Sequence, residues 1–311
     1  MTVPLRMAVI GVGHLGRHHA RILAGLDGVE LVGVVDRNWP RAQEIAQAHG
    51  TRPFADVSAL PAEVDAVTIA APTDVHRALA RPFLDRGVSV LVEKPIARTL
   101  EEADDLLAAA AASGATLAVG HTERHNPAVT AALALVDRPG FVEVHRLGTF
   151  PERSLDIDVV FDLMIHDLDV LLATVRSEVT SIDAVGVPVL TDRIDIANAR
   201  LKFASGCTAN VTASRISRER VRKVRFFQKD AYVSIDYASQ ELERWSLARR
   251  EGRLPGIEGG KVEVAREEPL KLELADFARA VRTRTAPLVT GSDGRRALAL
   301  AQRVTDAIAQ A

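Results

Sequence analysis

A single cysteine, Cys207, stands in 311 residues, so no disulfide can close within the chain and no cysteine-rich metal site can be built. That scarcity fits a reducing compartment. Charge of one sign is also missing. Lys and Arg number 39 against 41 Asp and Glu, a net charge of −2, which gives no large field to draw nucleic acid or an anionic membrane. No apolar run approaches the roughly 18 residues that span a bilayer. The alanine-rich residues 106–112 read instead as helix of high intrinsic propensity. An apolar run begins within a few residues of Met1, so no signal peptide is expected and the expected location is cytoplasmic. There is no internal repeat and no low-complexity linker. What is present is ordinary for a soluble globular protein, 47% apolar and 26% charged. The length is long for one core and favours two domains.

The most informative stretch is residues 5–36, LRMAVIGVGHLGRHHARILAGLDGVELVGVVD. An apolar run leads into Gly11, Gly13 and Gly16, an amphipathic segment follows, and a second apolar run ends in Asp36. Strand, glycine turn, helix, strand and acid is the order a dinucleotide site requires. One glycine lets the chain turn, one lets the backbone approach a pyrophosphate, and one lets the helix pack close to the strand. The phosphates then meet the positive end of the helix beside His14 and Leu15. Asp36 stands at about the 20-residue offset of an acid that holds an adenosine ribose.

To about residue 120 strands and helices alternate. Residues 40–49 read as a helix closed by Gly50, 64–70 as a buried strand, 74–86 as a helix, and 88–92 as a buried strand. Thr99 and Glu102 form a capping box for the next helix, and 116–119 is a further strand. Continuously apolar strands separated by helices imply a parallel sheet covered on both faces, with ligands at the carboxyl ends of its strands. Gly11, Asp36, Ala71-Pro72-Thr73, Glu93-Lys94 and His121 all fall at such ends. Beyond residue 121 the rhythm changes. Residues 141–147 alternate, 195–203 and 207–216 read as a hairpin, and 222–228 with 232–236 as another. Strand-like sequence follows at 242–247 and 261–264, suggesting a mostly antiparallel sheet. Residues 269–282 and 292–309 read as helices, and the latter can pack back on the first domain. An uncovered sheet face predicts a homodimer or homotetramer.

Four groups of residues can carry chemistry. Lys94 follows a buried strand and precedes a proline, so a rigid turn presents it, and a lysine partly desolvated beside a nicotinamide suits acid–base work. A solvated loop lysine is the alternative. In VVFDLMIHDLDVLL, Asp162, His166 and Asp169 fall at i, i+4 and i+7, one polar stripe on an apolar helix. Such a stripe serves a general base with its orienting acid, an internal polar network, or a metal. His121, Arg124, His125 and Asn126 crowd the domain junction, either against substrate or as a polar hinge. Arg215, Arg218, Arg220, Arg222, Lys223 and Arg225 form a basic run without interleaved aromatics. It reads as a solvated edge strand, a phosphorylated-substrate surface, or a nucleic-acid patch.

GVGHLG, then APTDVH, then EKP after an apolar strand, then DLMIHDLD and VTGSDGRRALALA, taken in order, resemble the Gfo/Idh/MocA oxidoreductases. The resemblance implies a Rossmann domain, a doubly wound parallel sheet over residues 1–121. It also implies an α+β domain with an open, mostly antiparallel sheet over 122–311. It further implies NAD or NADP and a sugar or polyol substrate. Lys94 matches the family's EKP lysine, and Asp162 and His166 match the aspartate and acid–base histidine of its Asp-x-Gly-x-His-x-x-Asp motif, which disfavours a metal. Met164 stands where that motif usually has glycine, and Val159-Val160 replaces a glycine-rich lead-in. HTERHNPAV, SLDIDVVFDLMIHDLD and TASRIS look most like the branch acting on UDP-N-acetylglucosamine at C3, in amino-sugar synthesis for surface glycolipids.

The resulting expectation is an NAD-dependent sugar dehydrogenase. Gly11, Gly13, His14, Leu15, Gly16 and Asp36 hold NAD, with Arg37 leaving NADP open. Ala71, Pro72, Thr73, His76, Glu93 and Lys94 border its nicotinamide end. His166, Lys94 and Asp162 carry catalysis, and His121, Arg124, Asn126 and Arg215 contact substrate beside them. A free-sugar or inositol dehydrogenase is the alternative within the class, and a non-catalytic NAD(P)-binding sensor the alternative outside it. Neither nucleic acid nor membrane is an expected partner.

Overall fold

The computed structural model describes residues 3–150, 157–249 and 256–310. Residues 154–156, part of the SLDIDVVFDLMIHDLD motif, lie outside them. The chain divides into two compact units, Met1–Thr122 with Glu268–Arg295, and Glu123–Glu267 with Arg296–Ala311.

The first unit opens with β1 (Leu5–Ile10), α1 (Gly16–Ala24), β2 (Val29–Val35), α2 (Trp39–His49) and β3 (Pro53–Phe54). It continues with β4 (Ala66–Ile69), α3 (His76–Leu84), β5 (Ser89–Glu93), α4 (Leu100–Ser113) and β6 (Leu117–Gly120). The strands form one sheet in the order β3-β2-β1-β4-β5-β6, every neighbouring pair parallel. The order reverses between β1 and β4, where a doubly wound sheet opens its ligand crevice. Local signals place the helix ends. Asn38 Oδ1 accepts from Arg41 N at 3.2 Å, and Gly50 ends α2 in the left-handed region at φ 64°. Thr99 Oγ1 accepts from Glu102 N at 3.2 Å, while Glu102 reaches back one residue further than a capping box requires, to Arg98 N at 3.0 Å.

In the second unit α5 (Pro127–Ala132) precedes β7 (Phe141–Leu147), and a π turn (Val160–Met164) leads into α6 (Ile165–Val175). Then come β8 (Val179–Val187), β9 (Ile196–Phe203), β10 (Thr208–Ser214), β11 (Val221–Gln228), β12 (Ala231–Asp236), β13 (Glu241–Ala248) and β14 (Gly256–Val262). Their sheet runs β14-β13-β12-β11-β7-β10-β9-β8 and is antiparallel except for the β7–β10 pair. The chain ends with α7 (Pro269–Thr283) and α8 (Gly291–Gln310). One face of the second sheet is buried. Val142, Val144, Val211 and Phe226 meet Val129 of α5, Leu168 and Leu171 of α6, and Leu300 and Val304 of α8.

The sequence boundaries need one correction. It is α7, not the body of α8, that returns to the first unit. Leu274, Phe277 and Ala278 join the cluster of Met7, Val9, Ala20 and Leu23, and Arg21 pairs with Glu268. From Arg296 onward α8 counts with the second unit. Both helices carry an apolar stripe, and a stripe alone does not name its partner. Half of the basic run, Arg222, Lys223 and Arg225, lies on β11, an interior strand between β12 and β7 rather than an edge, and Arg215, Arg218 and Arg220 precede it. Among the described residues no helix is long and apolar enough to cross a membrane.

Cys207 is 1% exposed, and burial pushes its thiol up to about 11. At about pH 8 only about one thiol in a thousand is then ionised. A thiol-reactive disulfide reagent should leave the native protein unmodified and titrate one thiol in guanidinium. Rapid modification of the folded protein would contradict this packing.

Candidate active site

The glycine turn is built by exclusion. Gly11 sits at φ 80°, where a Cβ would lie 2.8 Å from the Ala70 carbonyl oxygen. At Gly16 a Cβ would fall 1.7 Å from the Gly11 oxygen, so only glycine lets α1 start this close to β1. Gly13 faces open space, with nothing within 4 Å of a built Cβ. No side chain caps α1 and no acid lies in its first turn. The positive helix end is thus presented at an exposed, side-chain-free cradle, which fits a pyrophosphate. His14 and Leu15 are exposed beside it. Asp36, half-buried after β2, accepts Val12 N at 2.9 Å through Oδ2 and Asn38 N at 2.8 Å through Oδ1. The Asp36 carboxylate is therefore fixed to the glycine turn. Arg37 is exposed, and Arg41 Nε binds the Val12 carbonyl at 3.1 Å.

The expected rim of the first unit is present. Ala71-Pro72-Thr73 follows β4, Glu93 closes β5, half-buried Lys94 follows it, and buried His121 follows β6. Glu93 lies inside, its Oε1 3.0 Å from Nε2 of His19, a residue of α1 with no exposure. Burial would push the Glu93 carboxyl up. The His19 hydrogen bond, with the Lys94 ammonium nearby, outweighs it and holds the carboxyl below the usual range. His76 differs from its expected role as a cofactor contact. It is 1% exposed, with Nδ1 2.9 Å from the Pro95 oxygen and Nε2 2.8 Å from the Ala71 oxygen. Each ring nitrogen faces a backbone carbonyl oxygen, and the neutral ring that burial favours donates to one of the two at a time.

In the second unit the expected regular stripe is broken. Asp162 lies in the π turn and His166 in the first turn of α6, so the spacing from Asp162 to Asp169 is not that of one α-helix. Asp162 and His166 are half-buried, whereas Asp167 and Asp169 are buried. Asp169 pairs with Nη1 of Arg124 at 3.3 Å. Asp167 takes a two-pronged bond from Arg146 of β7, at 2.5 Å from Nε and 3.0 Å from Nη2. Arg146 also reaches Glu123 at 3.0 Å and lies 5.1 Å from the centre of the Tyr237 ring. Burial pushes the Asp167 carboxyl up despite Arg146, and pushes the Tyr237 hydroxyl up as well.

Three expected substrate contacts have internal partners instead. Arg124 is buried with Asp169. Asn126 caps α5 through Ala128 N at 3.1 Å and donates to the Tyr237 oxygen at 3.0 Å. Arg215, 1% exposed, binds Asp195 at 2.8 Å, the Ile157 oxygen at 2.7 Å and Thr191 Oγ1 at 3.1 Å. Asp195 in turn accepts the amides of Val189, Leu190 and Thr191, which with Arg215 outweigh its burial and lower its carboxyl. A buried guanidinium needs such partners, and the sequence does not say which arginine of a basic run turns inward. His19, Glu123, Arg146, Asp167 and Tyr237 were not anticipated. Two of them left a signal. His19 lies on the apolar face of α1, and Arg146 continues the inward register of Val142 and Val144.

Residues 5–121 match the model of the Gfo/Idh/MocA oxidoreductase family with its NAD-binding Rossmann fold, and residues 139–232 match the family's C-terminal domain. The chain is 41% identical over 310 residues to UDP-N-acetylglucosamine 3-dehydrogenase of Acidithiobacillus ferrooxidans, covering 98% of each. A solved structure of that enzyme matches with a TM-score of 0.92 at 40% identity, over 99% of this chain and 98% of that one. The NAD-linked scyllo-inositol 2-dehydrogenase of Bacillus subtilis is 26% identical over 93% of this chain and 90% of its own. An oxidoreductase from Agrobacterium radiobacter, solved with NAD+, L-tartaric acid and magnesium, shares the fold. Its TM-score is 0.87 at 18% identity, over 98% of this chain and 96% of that one.

The two glycines should separate binding from packing. Gly16→Ala is expected to lower Tm by an amount equivalent to about 1–3 kcal/mol and to weaken NAD, because the helix must shift. Gly13→Ala should leave Tm unchanged and weaken NAD by about tenfold, or 1.4 kcal/mol, in calorimetric titration. Equal behaviour of the two variants would contradict these roles.

Proposed function

The chain belongs to the Gfo/Idh/MocA oxidoreductase family, and from that premise we propose that it is a cytoplasmic NAD-dependent dehydrogenase oxidising the C3 hydroxyl of UDP-N-acetylglucosamine to a ketone. The observation that carries the substrate is the 41% identity to an enzyme of that activity, extended over 98% of both chains. Such coverage includes the α+β unit, where substrate preference within one fold is set.

In this reading His166 takes the hydroxyl proton, and Asp162 orients the imidazole and stabilises its charged form. Lys94 hydrogen-bonds the same oxygen and stabilises negative charge as it develops there. NAD, held at residues 11–16 and Asp36, would supply the acceptor for the hydride of the carbinol carbon. The oxygen's proton goes to His166, two electrons leave with the carbon-bound hydrogen, and a ketone remains. Asp36 and the start of α1 hold and orient the cofactor, which brings the advantage of a pre-positioned reaction.

The open face of the second sheet goes with an oligomer. Phe141, Phe227, Tyr232 and Trp245 stand in cross-strand register, with ring pairs 5.6 and 5.1 Å apart, and Phe227 and Trp245 are each 39% exposed. On the same face Arg225 pairs with Glu143 and Lys223 with Asp236. An apolar stripe among balanced charges suits a second copy of the same face. Light scattering should give a dimer or tetramer, and Phe227→Asp should lower the mass without changing NAD affinity.

NADH absorbance with UDP-N-acetylglucosamine, myo-inositol and glucose tests the assignment, and turnover is expected with the sugar nucleotide alone. Lys94→Ala and His166→Ala should each lower kcat by about 10²- to 10⁴-fold while NAD still binds. Preference for inositol would move the enzyme to the polyol branch. Tight NAD binding with no turnover of any sugar would make it a sensor.

A further inference from the structure

Helix α1 and the turns after β4 and β5 are joined by two buried histidines to which the proposed chemistry gives no part. His19 lies three residues beyond Gly16 on α1 and holds Oε1 of Glu93 at 3.0 Å. The other carboxylate oxygen of Glu93 accepts the amide of Lys94 at 3.3 Å. On the far side of the lysine, the His76 ring is wedged between the Pro95 carbonyl, 2.9 Å from Nδ1, and the Ala71 carbonyl, 2.8 Å from Nε2, with its one N–H donating to either. Lys94 is thus flanked by two residues, each in contact with a buried imidazole, one from α1 and one from the first residue of α3. There is little slack. A Cβ on Gly120 would lie 2.8 Å from Oε2 of Glu93, and both histidines are at most 1% exposed.

Those contacts do not fit the alternatives. A cofactor contact would need a ring edge at the surface, and neither ring has one. Filling of the core would be met by an apolar side chain, without burying nitrogens that need partners. His76 joins two carbonyls belonging to different strand ends, so its loss would unlink two turns rather than leave a void within one.

We infer that His76, seconded by His19 through Glu93, is a positioning residue for Lys94, locking the Glu93–Pro95 turn to the Ala71–Thr73 turn so that the ammonium group is presented at one place. It rests on the reading of Lys94 as catalytic. A misplacement of about 1 Å at a reacting group can lower a rate by about 10²-fold, so the tether matters even though neither imidazole touches substrate.

The test compares His76→Asn, His76→Gln and His76→Leu with Lys94→Ala. Asparagine keeps a donor where Nδ1 meets Pro95, glutamine keeps one near the Nε2 position, and leucine keeps neither. Four quantities are read: Tm, the Kd for NAD by calorimetry, kcat, and acetylation of Lys94 by acetic anhydride. Acetylation is scored by peptide mass spectrometry relative to the exposed Lys202 and Lys271. In His76→Leu, kcat should fall by about 10²-fold. Its Kd for NAD should stay within about threefold, and Lys94 acetylation should approach that of the exposed lysines. His76→Asn should recover more of both kcat and the native labelling than His76→Leu. Unchanged kcat and labelling in all three variants would overturn the inference. So would a fall of kcat, NAD affinity and Tm in step, with asparagine no better than leucine. If His76→Leu does not fold, the asparagine and glutamine variants decide by the same criteria. Full turnover in Lys94→Ala would remove the catalytic reading of the lysine, while the labelling comparison still shows whether His76 positions it.

Discussion

The approach of Gly16 to the Gly11 carbonyl is the constraint from which the first unit follows. No side chain fits between them, so α1 must begin directly above the end of β1, at the place where the parallel sheet reverses its order. That placement points the uncapped helix end at the exposed cradle of Gly13 and brings Asp36 against the Val12 amide. It also carries His19 down to Glu93, so α1 and the turn bearing Lys94 share one hydrogen bond. Loss of this single close contact would disturb cofactor binding and lysine placement together.

The second unit fixes its histidine by different means. His166 stands just after a π turn, and the two buried aspartates that follow it are each held by an arginine, Asp167 by Arg146 and Asp169 by Arg124. Buried ion pairs contribute little net stability over apolar packing, but they specify one arrangement, because removal of one partner strands the other's charge. Two such pairs near the start of α6 hold that end of the helix, while His166 and Asp162 stay half-buried. Met164, where the chain departs from the expected motif, is completely buried in the core cluster. The departure is accommodated by packing.

Much of this was legible in the sequence, and the rest was hidden for physical reasons. The strand over residues 141–147 could be read to the residue because one of its faces is buried and the other is not. The strand Val179–Val187 gave no comparable signal, since it is an edge strand whose polar residues face water on both sides of a few apolar ones. The π turn was invisible, because closure by i→i+5 bonds depends on packing rather than on residue type. Asp36, Lys94 and His121 were placed at strand ends by topology alone. Arg215 and Asn126 were not, because a buried polar residue is distinguished from an exposed one by partners distant in sequence, here Asp195 and Tyr237. The return of α7 to the first unit was hidden for the same reason.

Whether the fold's two halves serve one redox step is decided most directly by the fate of a labelled hydrogen. UDP-N-acetylglucosamine carrying deuterium at C3 would be incubated with the protein and NAD, and both products analysed by mass spectrometry. The account predicts one deuterium in the reduced cofactor and none in the 3-keto sugar nucleotide. Unlabelled reduced cofactor, with deuterium retained in the sugar or lost to solvent, would contradict it.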